Sequence, residues 1–186
     1  DAGTATALDY NPLAQPMYFN LQSDGKGYNA IMIQDGGSRH PLNVHSLEET
    51  EREKGIVRSN AQMQLNGTEV FNFGLREVAP NIETLLQNMG KTTASFDYVV
   101  FHQANLLMNE RIRNKLQLER EKVPYSLKNY GNTSSATIPL TMVAELGAEL
   151  QNRPLSLLLS GFGVGLSWGS AAICTEPLVC LPVIEI

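Results

Sequence analysis

The sequence predicts a layered α/β domain in which helices cover both faces of a mixed, mostly parallel five-stranded sheet. Three observations predict it. Tyr98-Val99-Val100-Phe101 and Leu155-Ser156-Leu157-Leu158-Leu159 are short apolar runs of the kind buried on both faces of a parallel sheet. Helical periodicities stand before and between them, which is the alternation that builds such layers. With 186 residues and 42% hydrophobic content, the chain can bury one substantial core, so a single domain is expected.

Taken in order, Asp1-Ala2-Gly3-Thr4-Ala5-Thr6-Ala7-Leu8 lacks an initiating Met and runs into small and β-branched residues suited to a buried strand, which reads as a cut chain. Met17-Tyr18-Phe19 and Ile31-Met32-Ile33 flank the turn residues Ser23-Asp24-Gly25-Lys26-Gly27 and suggest a hairpin. Residues 34–60 turn polar, with the charged run Glu48 to Lys54, and read as a surface excursion with a short helix. A strong helix begins at Asn66, where Asn66 and Glu69 have capping-box spacing. Its apolar stripe is Phe71, Leu75, Val78, Ile82, Leu85, Leu86 and Met89, Gly90 stops it, and Pro80 predicts a kink or short break.

The strand 98–101 delivers His102 at its carboxyl end, where open α/β sheets bind ligands. A helix from Asn105 to Leu118 follows, burying Met108, Ile112 and Leu116 with Arg111, Arg113 and Lys115 outward. The loop Tyr130-Gly131-Asn132-Thr133-Ser134-Ser135 leads into another helix with the stripe Ile138, Met142 and Leu146, Ser134 or Ser135 serving as N-cap. The run 155–159, the glycine-rich Gly161-Phe162-Gly163-Val164-Gly165 and a last strand through Trp168 to Ile173 complete the pattern.

Composition excludes several functions. A formal net charge of -5, with no concentrated Lys and Arg, excludes a nucleic-acid surface. No apolar stretch has the length of a membrane span and the N-terminus is not a secretion signal, so a cytoplasmic location is expected. Cys174 and Cys180, in a Val-, Leu- and Ile-rich segment, read as small buried hydrophobes rather than a disulfide. Histidines at 40, 45 and 102 have no ligand spacing, so no metal is expected.

Two motifs mislead. Gly165-Leu166-Ser167-Trp168-Gly169 matches the G-x-S-x-G nucleophile elbow, but an elbow lies between a strand and a helix, and here strand-like sequence follows and no histidine comes after His102. Gly161, Gly163 and Gly165 are too closely spaced for a dinucleotide fingerprint, and no helix follows them. Of the remaining polar residues, His102 and Asn132 each read singly as a helix cap. Together with their surroundings they read as a site: His102-Gln103-Ala104-Asn105 after a buried strand, Tyr130-Gly131-Asn132-Thr133-Ser134-Ser135-Ala136 before a helix, then Gly161 to Ser170.

Those three segments, in that order and spacing, resemble the C-terminal half of β-ketoacyl-acyl-carrier-protein synthase III, a condensing enzyme of the thiolase-like superfamily. The resemblance is strongest from Asp97 to Ile173, and Gly67-Thr68-Glu69-Val70-Phe71 matches a family helix start. It implies a thiolase-like α/β/α half, with 1–186 as the C-terminal condensing-enzyme domain and residues 1–10 as the end of the N-terminal half. Ser160-Gly161-Phe162 argues against a degradative thiolase, which has a cysteine there, and Asn132 against the elongating synthases, which have a second histidine.

The resemblance further implies a Cys-His-Asn triad whose histidine and asparagine match His102 and Asn132, the cysteine lying in a half this chain does not contain. The reaction would be decarboxylative condensation of malonyl-acyl-carrier protein with an acyl group from acyl-coenzyme A, in a homodimer. No cofactor is implied; coenzyme A and the carrier's phosphopantetheine are substrate carriers. His102 and Asn132 would stabilise an enolate as neutral donors, with a second oxyanion hole at the Gly163 and Val164 backbone. The family usually has glycine where Val164 stands. Phe162 would line the acyl pocket, a plain core role serving it equally well. For carrier docking, the family's basic residue is Leu107 here, leaving Arg111, Arg113 and Lys115 as candidates against a merely solvated face. The rival reading is a non-catalytic thiolase-fold module for binding or dimerisation, and alone the chain is expected to be inactive.

Overall fold

A computed structural model describes residues 2–185. The strands are β1 (Tyr18–Ser23), β2 (Ile31–Met32), β3 (Thr50–Glu53), β4 (Ile56–Arg58), β5 (Gln64–Leu65), β6 (Tyr98–Phe101), β7 (Leu155–Gly163) and β8 (Ser167–Thr175). The helices are α1 (Gly67–Met89), α2 (Leu106–Lys115), the single turn α3 (Leu127–Tyr130) and α4 (Thr137–Asn152). The main sheet has the order β1-β8-β7-β6, and small two-stranded sheets pair β2 with β5 and β3 with β4.

The layered α/β architecture is as expected, and the sheet itself differs. It has four strands, and only β6 and β7 run parallel; β7–β8 and β1–β8 are antiparallel. The physical reason is the short connection at Val164-Gly165-Leu166, which permits only antiparallel pairing, because a parallel return needs a crossover. Gly165, with φ of 137°, makes that turn in a conformation L side chains rarely adopt. Residues 2–17 contain no strand and lie exposed, so the expected first strand is absent; Asp1 lies outside the described residues.

The expected hairpin between residues 17–19 and 31–33 is also replaced. Tyr18–Ser23 pairs with β8 and Ile31–Met32 with β5, while a 3-10 helix at Gly25–Ala30 fills the turn. In the excursion 34–60, the charged run forms the β3–β4 hairpin, and the short helix is 3-10, at Val44–Leu47.

Two apolar layers flank the sheet. On one face α1 and α2 pack Phe73, Val78, Ile82, Leu85, Met108 and Ile112 against Val99, Phe101, Leu158 and Ala172. On the other, Leu146 and Leu150 of α4 meet Val100, Leu155 and Leu157. Alternation within β6 thus feeds both layers, the period-two rule acting in a strand covered twice. The half-buried Cys180 packs on the second layer, whereas Cys174 on β8 is exposed, because the outward positions of that edge region are uncovered; both are free thiols.

Helix α1 runs unbroken through Pro80. Asn66 caps it by accepting from Glu69 N–H at 3.1 Å, and Gly90 closes it with left-handed geometry, φ 62°. The lost donor at Pro80 is next to Asn81, which is buried and polar. Its Nδ2 donates to Asn20 O at 3.1 Å and Gln22 Oε1 at 2.9 Å, and Ser170 Oγ donates to its Oδ1 at 2.7 Å. Asn20 Nδ2 returns a bond to Asn81 O at 2.8 Å. This network fixes strand β1 against α1 and β8. Truncation by Asn81→Ala is expected to cost about 1–3 kcal/mol, since it strands buried partners; urea denaturation measures it, and a loss below about 0.5 kcal/mol contradicts the assignment.

Candidate active site at the end of β6

His102 follows Phe101, the last residue of β6, and three bonds fix its backbone. Its N–H donates to Ser160 O of β7 at 2.8 Å, while its carbonyl accepts from Ala104 N–H at 2.9 Å and from Asn109 Nδ2 at 3.0 Å. Asn109 is buried on α2, so the helix after the strand holds the turn before it. Gln103 is also buried: it donates to Phe101 O at 2.8 Å and accepts from Ser126 N–H at 3.2 Å. These residues carry no apolar period, and the position of Gln103 next to His102 is the one signal that sequence offers for them.

The imidazole is half-buried and meets two groups. Phe162 packs edge-to-face on it, with centroids 5.3 Å apart and planes at 84°. Thr137 Oγ1 lies 2.7 Å from Nδ1. Burial pushes the His102 pKa below the ordinary histidine value. The ring is therefore neutral at neutral pH.

Asn132 sits in the loop before α4 and is exposed. Ser134 N–H donates to its Oδ1 at 2.9 Å, which settles the amide orientation, because a backbone N–H can meet only the oxygen. The other end, Nδ2, is then the donor, with a long contact of 3.5 Å to Ala104 O. Ser134 takes a left-handed φ of 56° to make this turn. The expected Ser134 or Ser135 N-cap does not form: a 3-10 turn, Ser134–Ala136, leads into α4, whose N-cap position is Ala136 with no side-chain bond. A chain of contacts, Asn132 to Ser134 to Thr137 to His102, joins the two polar residues.

The other expected residues divide. Phe162 is buried, touching His102 while also belonging to the α1–α2 core layer. Gly163 ends β7 opposite Ser167, and Val164 stands exposed in the β7–β8 turn. Ser167, in β8, has strand rather than helix after it. Among the cations, Arg111 is exposed, but Arg113 does not face outward: it pairs with Glu110 at 2.9 Å and donates to Leu118 O, closing the end of α2. Lys115 donates to Leu75 O at 3.2 Å. Of the three cations expected outward, Arg113 is thus folded back on the end of α2, whereas Lys115 stays exposed while reaching a carbonyl of α1. Thr137, the side chain on the His102 ring, was not expected; it is distant in sequence and reads locally only as a helix start.

A cavity of about 460 Å³ lined by Asp24, Asn66, Glu69 and Arg76 lies beside the start of α1 and includes neither His102 nor Asn132.

Comparison with known proteins accords with this geometry. The fold is the thiolase-like α/β fold of condensing enzymes: the crystal structure of a 3-oxoacyl-(acyl-carrier protein) synthase from Burkholderia xenovorans LB400 superposes with a TM-score of 0.79 at 38% identity, covering 90% of this chain and 46% of that one. Residues 86–174 match the family model described as 3-oxoacyl-[acyl-carrier-protein] synthase III C terminal, and the chain belongs to that family. It is 42% identical over 154 residues to β-ketoacyl-[acyl-carrier-protein] synthase III 1 of Halalkalibacterium halodurans, covering 82% of this chain and 49% of the relative. With the synthase III of Prochlorococcus marinus it shares 33% over 183 residues, covering 93% and 50%. The chain spans about half the length of these curated relatives.

The His102 shift has a sign that can be tested. The unfolded chain takes up this proton near pH 6.5 and the folded one only at lower pH, so the contribution is full above about pH 6.5 and is lost as pH falls toward the folded value. Denaturation between about pH 7.5 and 5.5 is expected to show a smaller acid loss in His102→Gln than in wild type. An equal loss in both would contradict the buried, neutral ring.

Proposed function

We propose that this chain supplies the decarboxylation site of a condensing enzyme that joins an acyl group to a malonyl unit carried on acyl-carrier protein, in fatty-acid or polyketide synthesis. The observation that carries this reading is the orientation of two neutral donors. Asn132 has its oxygen occupied by Ser134 N–H, which leaves Nδ2 to donate, and His102 has Nδ1 against the Thr137 hydroxyl, so that in this reading Nε2 is the nitrogen that donates. Loss of carbon dioxide drives an electron pair into the malonyl thioester carbonyl, and the resulting enolate oxygen needs donors already in place. The carbanion then attacks an acyl group held as a thioester.

That thioester needs a cysteine that this chain does not place at the site. Cys174 is exposed on β8 and Cys180 packs on α4, and neither accompanies His102. The nucleophile belongs, in this reading, to the part of the relatives' length outside 1–186, so the chain alone does not complete a turnover. Acyl-coenzyme A and malonyl-acyl-carrier protein are the substrates, with no further cofactor. Gly163 and Val164 form a second oxyanion site at the β7–β8 turn, Phe162 borders the acyl group, and Arg111 and Lys115 are the exposed cations that would meet an acidic carrier. Homodimeric assembly and a cytoplasmic place of action belong to the same reading. Among the described residues no helix is long and apolar enough to cross a membrane.

The test joins 1–186 to its cysteine-bearing half and follows carbon dioxide release from malonyl-acyl-carrier protein. His102→Ala and Asn132→Ala are each expected to slow release by about a hundredfold to a thousandfold, while transfer of a labelled acyl group from coenzyme A to the enzyme persists. Release at the wild-type rate in both variants would sink the reading, and a complete gene product without the cysteine would leave a non-catalytic binding or dimerisation module.

A further inference from the structure

Asn132 is delivered by very little structure of its own. The element before it, α3, is a single turn of four residues, Leu127–Tyr130, and one helical turn does not hold itself against the entropy of its nucleation. Its position therefore comes from tethers. Ser126, at the N-cap position, accepts through its carbonyl from Asn129 N–H at 3.1 Å and Tyr130 N–H at 3.0 Å, and Gly131, with φ 65°, then turns the chain into Asn132. Where Ser126 sits, the turn and Asn132 follow.

Gln103 holds Ser126. Its Oε1 accepts Ser126 N–H at 3.2 Å and its Nε2 donates to Phe101 O at 2.8 Å. Both ends meet main-chain groups of fixed polarity, so the amide has one orientation. The side chain is 0% exposed, which leaves no bulk water to replace either partner. Only an amide of this length both donates and accepts across the gap: an ionised glutamate has no donor, a methionine has neither group in usable strength, and an asparagine is one carbon short.

The two ends of this bridge depend on it unequally. The strand end is held elsewhere, since His102 N–H donates to Ser160 O at 2.8 Å, and His102 O accepts from Ala104 N–H at 2.9 Å and Asn109 Nδ2 at 3.0 Å. Ser126 N–H, among the described residues, has Gln103 as its one partner. The Ser126 hydroxyl has a separate hold. Thr141 Oγ1 gives its proton to Thr137 O at 2.7 Å, so Ser126 Oγ is the donor in its own 2.7 Å contact with Thr141 Oγ1. That bond ties Ser126 to α4, and the bond from Gln103 ties it to β6. The second tie governs how near Asn132 comes to the three-residue turn His102–Ala104, where its Nδ2 lies 3.5 Å from Ala104 O.

We propose that Gln103 is a positioning residue that sets the spacing of His102 and Asn132, by fixing the start of the turn that carries Asn132 to the end of the strand that carries His102. Its consequence for carbon dioxide release rests on the decarboxylation reading above, but the tether itself does not. Two donors serve one oxygen only at a spacing that suits it, and Gln103 is the side chain that spans the elements carrying them.

The test uses 1–186 joined to its cysteine-bearing half. Gln103→Met, which keeps the bulk and removes both bonds, is expected to accelerate hydrogen exchange in residues 126–132 while strand 98–101 stays protected; Gln103→Asn reads the same if methionine prevents folding. Unchanged exchange in 126–132 overturns the proposal, as does an acceleration shared equally by 98–101. The same variant is expected to slow carbon dioxide release from malonyl-acyl-carrier protein by about tenfold to a hundredfold, with transfer of a labelled acyl group from coenzyme A retained. Added to Asn132→Ala it is expected to cost less than about threefold, because the group it misplaces is already gone, whereas added to His102→Ala it keeps its effect. A loss on Asn132→Ala as large as on wild type overturns the positioning role. Unimpaired release in His102→Ala and Asn132→Ala would instead overturn the decarboxylation reading, and the exchange result would still decide the tether.

Discussion

The parallel pairing of β6 with β7 is the contact on which the candidate site depends. At its start Asp97 N–H donates to Ser156 O at 2.9 Å and Asp97 Oδ2 accepts from Ser156 N–H at 2.8 Å, so one residue meets both backbone groups of its neighbour. At its end His102 N–H donates to Ser160 O at 2.8 Å. Between them the register runs from Tyr98 opposite Leu157 to Phe101 opposite Ser160. A slip of one residue would carry Val99 and Phe101 into the α4 layer and Val100 into the α1–α2 layer. It would also turn His102 away from Thr137. The Ser156 N–H, with the Arg153 guanidinium beside it, holds the Asp97 carboxyl below the usual carboxylate range, so this clamp stays charged at neutral pH.

Beyond the strand end, polar groups do work that apolar packing performs elsewhere. Gln103, Asn109 and Thr141 are fully buried, and Ser126 and Thr137 are nearly so. Unpaired, such groups would be costly, and apart from Asn109 Oδ1, which has no partner among the described residues, their side chains are hydrogen-bonded. Gln103 spans from Phe101 O to Ser126 N–H, and Asn109 holds His102 O. An apolar core can slide along itself with modest loss, whereas directional bonds accept one geometry. An imidazole with the role proposed for His102 is better served by the second kind of support, because a donor to an enolate must be aimed before the substrate arrives.

The sequence made much of this visible, and the reasons for the rest are physical. Helix α1 was legible because capping at Asn66, the apolar stripe and Gly90 agree. Strand β6 and helix α2 were legible for the same consistency of local signals, and the observed structure reproduces both. Strand β1 was not assigned to β8 because pairing Tyr18–Ser23 with residues near 170 is non-local, and an apolar run does not state its partner. Parallel and antiparallel strands likewise look alike when buried on both faces, so only the short turn between β7 and β8 distinguishes them. At the candidate site, His102 and Asn132 were singled out through the segments around them, while Thr137 was not, since nothing in a threonine at a helix start indicates an imidazole thirty-five residues away. Arg113 was misread for a related reason: its charge suggests solvent, and its bonds to Glu110 and Leu118 O depend on where α2 ends.

Neutrality suits this pair, in the proposed reading, to holding an enolate without protonating it. An imidazolium would attract the developing charge more strongly, but it would then be a strong enough acid to protonate the carbanion and quench the condensation. Burial opposes that form at His102, and Phe162 presents an apolar edge rather than an acceptor. Asn132 has no proton to give up. The pair can therefore hold charge on oxygen while leaving carbon nucleophilic, provided the imidazole keeps its N–H on the substrate side.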